Sequence, residues 1–183
     1  MANQFSILTR KCNIRDVRLT DDGQILAAMS CPQVASMYSG GFRDIPDVRR
    51  YIDVLLDEYN GEKVKYRTLA IAERQSDILL GCVTMDVHKY FPRAELGYWI
   101  AIPHRNKGYM TEAVSAIMQY GFADLGLVRI QAYHSVDNPA SGRVLEKAGM
   151  TFEGVMRLYN GRTDEKMYAA INTDQLPDFR LSL

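Results

Sequence analysis

"AELGYWIAIPHRNKGYMTEAVSAIMQYGF" occupies residues 94–122, and its reading decides the fold. Residues 94–102 read as a strand stopped by Pro103. From Met110 the apolar residues Ala113, Val114, Ile117, Met118 and Phe122 recur at helical spacing, so one face of a helix packs on a sheet. Between strand and helix lies the short basic turn "HRNKG". A helix leaves its first four N–H groups unpaired, and its start carries roughly half a positive charge. Both favour an anion, Gly108 lets a ligand approach the backbone, and Arg105 and Lys107 add charge. An ordinary strand–helix connection with solvated basic residues fits the loop alone equally well. The loop is neither a dinucleotide fingerprint nor a nucleoside-triphosphate loop, because G-x-G-x-x-G and G-x-x-x-x-G-K-[ST] are both absent.

Outward from this unit the periodicity keeps changing. Residues 14–20 alternate as a strand, and "DDGQILAAMS" begins a helix with acids where they suit the dipole. Residues 31–46 are broken by Pro, Ser and Gly and read as a loop, either wholly irregular or holding a short helical piece, and 47–59 carry a helical stripe. Strands are expected at 66–73 and 78–88 around the turn "RQSD", and again at 127–134 after Gly126. A short helix at 138–149 has Pro139 in its first turn and Gly149 past its end. "TFEGVMRLY" and "EKMYAAIN" then form a hairpin over "NGRT". The expected architecture is α/β of the α+β type: one domain over 1–183, with a mixed, mostly antiparallel sheet of six to seven strands and helices on its faces.

Composition narrows the function. Lys plus Arg and Asp plus Glu each total 22 in 183 residues, so no global basic field exists to hold nucleic acid or an anionic membrane. No apolar run approaches the ~20 residues of a membrane span, and the opening "MANQFSILTRKC" lacks the apolar core of a secretory signal. Cys12, Cys31 and Cys82 have no metal-ligand spacing and read as reduced thiols of a cytoplasmic protein. His88, His104 and His134 likewise show no metal pattern, so no metal is expected.

"ELGYWIAIPHRNKGYMTEA" resembles the central motif of the GNAT acetyltransferase superfamily, a strand followed by [QR]-x-x-G-x-[GA] at a helix start. Arg105 fills the first position and Gly108 the fourth, while Met110 departs from the usual Gly or Ala at the sixth. "DNPASGRVLEKAGMTFEG" resembles the second signature, N-x-x-S…K-x-G-F, with Met150 where Phe is usual. "GVMRLYNGRTDEKMYA" resembles the C-terminal hairpin of the RimJ/RimL ribosomal-protein acetyltransferase branch. The resemblance implies the GNAT fold, with splayed central strands and helices on both faces, and acetyl-coenzyme A as cosubstrate. It places the pantetheine amides on backbone near Ile100 and Ile102, and the pyrophosphate on the N–H groups of Asn106, Lys107, Gly108, Tyr109 and Met110 beside Arg105. Asn138 is expected to bond the pantetheine or to act only as a cap.

Acetyl transfer to an amine needs a base for the amine and, where the leaving thiolate is to be neutralised, an acid. Glu95 lies on the strand leading to the cosubstrate, where several GNAT enzymes keep a carboxylate that binds or deprotonates the amine; a solvated glutamate or a structural ion pair is the alternative. Many GNAT enzymes place a tyrosine acid seven positions after the asparagine, but Leu145 stands there. In the RimL-like branch the serine of N-x-x-S takes that role, and Ser141 matches it; a helix-start hydroxyl on backbone N–H is the alternative. The expected activity is transfer of an acetyl group in a ternary complex to a primary amine: a protein N-terminus, a polyamine or a small-molecule amine. A non-catalytic acyl-CoA-binding module is the contrasting expectation. The C-terminal hairpin leaves a sheet edge with apolar residues Val155, Met156, Leu158, Met167, Tyr168 and Ile171, which predicts a homodimer.

Overall fold

The computed structural model describes residues 5–35, 41–59 and 66–180. Residues 36–40 of the expected 31–46 loop, and the first four residues of the chain, lie outside them. Among the described residues eight strands form one sheet: β1 (Ser6–Leu8), β2 (Cys12–Asp16), β3 (Tyr66–Glu73), β4 (Leu79–Val87), β5 (Arg93–Ile100), β6 (Arg129–Ser135), β7 (Thr151–Met156) and β8 (Glu165–Ile171). Their order is β1-β2-β3-β4-β5-β6-β8-β7. Every neighbouring pair is antiparallel except β5–β6, which is parallel. The helices are α1 (Asp22–Met29), α2 (Pro32–Ala35), α3 (Ile45–Tyr59), α4 (Tyr109–Ala123) and α5 (Pro139–Ala148).

The eighth strand, one more than expected, is β1, a three-residue piece paired with β2. The strand expected at 14–20 ends instead at Asp16, and Leu19–Asp21 turn as a short 3-10 helix. Arg15 explains the break. It is 1% exposed, and all five guanidinium N–H groups find acceptors. Nε donates to Asp77 Oδ1 at 2.9 Å, the terminal nitrogens to Asp21 at 2.8 and 2.9 Å, and the remaining donors to the Asp16 and Asp77 carbonyls. One strand arginine thereby pins the start of α1 and the β3–β4 turn to β2.

Strand alternation divides the core into two layers. Leu69, Ile71, Val83, Met85, Ala94, Leu96, Ile130 and Ala132 face α4 and α5. Ala70, Cys82 and Trp99 face the opposite way, against α1, α2 and α3. No helix among the described residues is long and apolar enough to cross a membrane.

The loop of the C-terminal hairpin is wider than the expected "NGRT" turn. Residues 157–164 connect its strands, with Leu158 at φ 48° and Gly161 at φ 74°. Asn160 shapes the loop by accepting the N–H groups of Arg162 and Thr163. Tyr168, expected on the apolar edge, is core instead. Phe152 and Tyr159 join Val155, Leu158 and Ile171 as the exposed apolar residues of this hairpin.

Candidate functional site

The parallel pair β5–β6 is also the incomplete one. β5 runs against β4 from Ala94 to Ile100. It meets β6 only where Arg93–Glu95 oppose Arg129–Gln131. β6 follows β8 all the way to Ser135. The two strands therefore part after Glu95. The Ala101 N–H donates to the Leu80 carbonyl at 2.9 Å. Alternation then turns the backbone groups of Tyr98 and Ile100 away from β4, toward the gap. Ile102, expected at the end of this strand, instead opens a 3-10 turn to His104, and its carbonyl accepts the Arg105 N–H at 3.2 Å. The strand backbone available to an extended ligand thus ends at Ile100.

Past that turn the chain bends sharply into α4. Asn106 (φ 60°) and Gly108 (φ 85°) are both left-handed, and Gly108 is the N-cap, with no side chain to satisfy the helix start. The first helical bond runs from the Glu112 N–H to the Gly108 carbonyl, so the N–H groups of Tyr109, Met110 and Thr111 have no acceptor within the helix. Met110, the departure from the resembled motif, is 5% exposed and packs into the core, leaving the helix start clear of its side chain. The β1–β2 turn braces this corner. Lys11 Nζ donates to the Lys107 carbonyl at 2.8 Å, and the buried Glu112 carboxylate accepts the Lys11 N–H at 3.0 Å. Arg105 is half-buried; Asn106 and Lys107 are exposed.

On the α4–α5 face Asn138 caps α5, its Oδ1 accepting the Ser141 N–H at 3.4 Å. Ser141 is 8% exposed. Its Oγ lies 2.7 Å from the Tyr98 hydroxyl, which also reaches the Ser141 carbonyl at 3.1 Å. Tyr98 projects from β5 on the same face; burial drives its phenol pKa up, against the opposing pull of the Ser141 hydrogen bond. No sequence motif points to Tyr98, whose pairing with Ser141 arises only from the packing of α5 on the sheet. Leu145, where the wider family keeps a tyrosine, is fully buried, so a tyrosine introduced there would overpack the core rather than replace a missing acid. His134, 6% exposed, stacks on Tyr168 at 5.6 Å, with Nδ1 against the Ser135 carbonyl.

Glu95 lies on the opposite face of β5 from Tyr98, because the two are three positions apart on an alternating strand. It is half-buried, and Gln131 Nε2 donates to its Oε2 at 3.1 Å. Tyr133, two residues along β6, shares this face. Burial and the neighbouring Glu95 carboxylate push its phenol up to about 12. Its ring meets Tyr159 edge-on at 4.9 Å. The structure thus gathers Glu95 with two exposed tyrosines on one side of the gap, and Ser141 with Tyr98 on the other. Among the described residues no group of three or more His, Cys, Asp or Glu is placed to hold a metal.

Comparison with known proteins accords with this geometry. Residues 11–151 match the family model of the acetyltransferase (GNAT) domain. The uncharacterized N-acetyltransferase YoaA of Bacillus subtilis is 33% identical over 159 residues, 85% of this chain and 88% of its own. The ribosomal-protein-serine acetyltransferase of Escherichia coli is 27% identical over 55% of this chain and 59% of its own. Among solved structures, the microcin C7 self-immunity acetyltransferase MccE, in complex with acetyl-CoA and AMP, superposes with a TM-score of 0.75. It is 21% identical and covers 88% of this chain and 93% of its own, a likeness of fold.

Proposed function

The chain belongs to the GNAT acetyltransferase family, and on that footing we propose that it moves an acetyl group from acetyl-coenzyme A directly to a primary amine, both bound at once. The observation that carries this reading is the parting of β5 from β6 after Glu95, with an uncapped helix start at one end of the gap. Backbone of Tyr98 and Ile100 offers an extended pantetheine chain the hydrogen bonds of an added strand. The N–H groups of residues 106–111, reinforced by Arg105 and Lys107, receive the pyrophosphate.

Bound there, the cosubstrate supplies a thioester whose C–S bond breaks as the amine nitrogen bonds the acetyl carbon. Glu95 takes the amine's proton, held in place by Gln131 and reached from the face of Tyr133 and Tyr159. Those aromatic rings suit an ammonium before it is deprotonated. Ser141 returns a proton to the departing sulfur. When the Tyr98 hydroxyl donates to Ser141 Oγ, the serine's own hydrogen is free to point at the thiolate. No protein nucleophile is needed. Burial pushes Cys12 up to about 11 and raises Cys82 as well, so neither thiol is readily ionised.

The acceptor is a peptide N-terminus, a polyamine or a small-molecule amine. The protein acts in the cytoplasm, as one domain. Phe152, Val155, Leu158, Tyr159 and Ile171 on the outer hairpin pair with a second copy across a two-fold axis. A turnover screen with acetyl-CoA over peptide N-termini, polyamines and aminoglycosides tests the activity. Tight acetyl-CoA binding with no turnover on any amine would instead identify a binding module.

A further inference from the structure

A second feature lies on the flank of α4 away from the gap. The β1–β2 turn, the β3–β4 turn and the first residue of α4 enclose a groove of about 400 Å³ lined by Arg10, Lys11, Glu73, Arg74, Gln75 and Tyr109. The two turns are tied together, since the Arg74 N–H donates to the Lys11 carbonyl at 3.0 Å. Both arginines are exposed. Among the described residues neither guanidinium has a carboxylate within ion-pair distance.

The acids nearby are already engaged. Glu73 turns its carboxylate onto the N–H groups of Gln75 and Ser76 at 3.2 and 2.7 Å. Glu112 accepts the Lys11 N–H, with Lys11 Nζ 4.0 Å away. The groove is left with two unpaired guanidinium forks and an ammonium that also reaches the Lys107 carbonyl of the anion-binding loop. Planar guanidinium forks match the oxygens of a phosphate monoester, and a dianion is the ligand such a site favours.

We propose that this groove holds the 3′-phosphate of the adenosine end of coenzyme A. The inference rests on the acetyl-CoA reading above. The ribose that carries the 3′-phosphate also carries the pyrophosphate. Tyr109 and Lys11 belong both to the groove and to the corner assigned to that pyrophosphate. Arg10 and Arg74, contributed by turns outside the recognised sequence motifs, thereby distinguish coenzyme A from its dephospho form.

The test is calorimetric. Acetyl-CoA and acetyl-dephospho-CoA are titrated into the wild-type protein and into an Arg10→Ala/Arg74→Ala double variant whose folding is checked by thermal melting. The wild type should bind acetyl-CoA about tenfold or more tighter than the dephospho form. In the double variant that preference should collapse, affinity for the dephospho form should hold, and Arg74→Lys should keep part of the preference. An undiminished preference in the double variant, or no preference in the wild type, overturns the assignment. So does an equal loss for both thioesters, which would mean a general field. Inorganic phosphate binding that vanishes in the variant while the thioester preference persists would assign the groove to a free phosphate and overturn it too. If the wild type binds neither thioester, the acetyl-CoA reading itself fails and this inference falls with it. Binding of both thioesters to the wild type without the expected difference, or with one that the double variant keeps, leaves the acetyl-CoA reading standing and overturns the groove alone.

Discussion

The hydroxyl of Tyr98 lies 2.7 Å from Ser141 Oγ, joining β5 to the first turn of α5 across the α4–α5 face of the sheet. The strand supplies a phenol to the site where Leu145 denies one to the helix. Tyr98→Phe keeps the ring and its packing but removes the serine's partner. It should slow turnover about threefold to tenfold, with acetyl-CoA affinity unchanged, as expected for one hydrogen bond. Ser141→Ala should fall in the same range, and the double variant should be no slower than the slower single one. Additive losses, read from kcat in the four-way cycle, would separate the two residues.

Gly108 caps α4 at φ 85°, a conformation that side chains resist. A β-carbon there would also meet Lys11 Nζ at 3.0 Å, the ammonium that braces the loop. Gly108→Val should weaken acetyl-CoA binding tenfold or more, and the domain should still melt cooperatively. Unchanged affinity by calorimetry would move the pyrophosphate elsewhere.

Much of this frame is legible in local sequence. The strand read at 66–73 is β3 to the residue, and the helix after the basic turn is α4, because alternation and a 3.6-residue stripe are properties of neighbouring positions. β1 escapes notice because three residues show no period, and its place comes from pairing with β2. Arg15 reads as one polar residue of an alternating strand; its burial depends on Asp77, 62 positions away. Tyr98 and Ser141 are 43 positions apart, and only the packing of α5 on the sheet joins them. The Arg10–Arg74 groove has the same origin, in two turns brought together by strand register.

The buried Arg15–Asp21 pair gives a stability test. Asp21→Ala leaves a guanidinium, 1% exposed, without two of its acceptors. Breaking one side of such a pair typically costs about 3–5 kcal/mol. Urea denaturation should show a loss of that order. A loss below about 1 kcal/mol, the range of a surface pair, would mean that Arg15 is hydrated in solution.

Asp77 links this cluster to pH. Partial burial pushes its carboxyl up, yet the Arg15 hydrogen bond and charge, with Arg18, hold it below the usual carboxylate value. A depressed folded pKa stabilises the protein above the unfolded value near ~3.9, and that contribution disappears as pH falls through the folded value. Asp77→Asn tolerates the left-handed φ of 56° at this position. The variant should melt below the wild type at pH 7, with the gap closing as the pH is lowered through 4 toward 2. A gap that stays constant across this range would remove the charge from the account.

Glu95→Gln is the most direct measurement of the central claim, that a carboxylate on one side of the gap serves the amine while the cosubstrate is held by backbone. Glutamine can still accept the Gln131 N–H, so the local geometry is kept. With saturating amine, kcat should fall by about 10²-fold or more, while acetyl-CoA affinity by calorimetry stays within about twofold of wild type. Wild-type turnover in the variant would contradict the account and leave Glu95 a structural partner of Gln131.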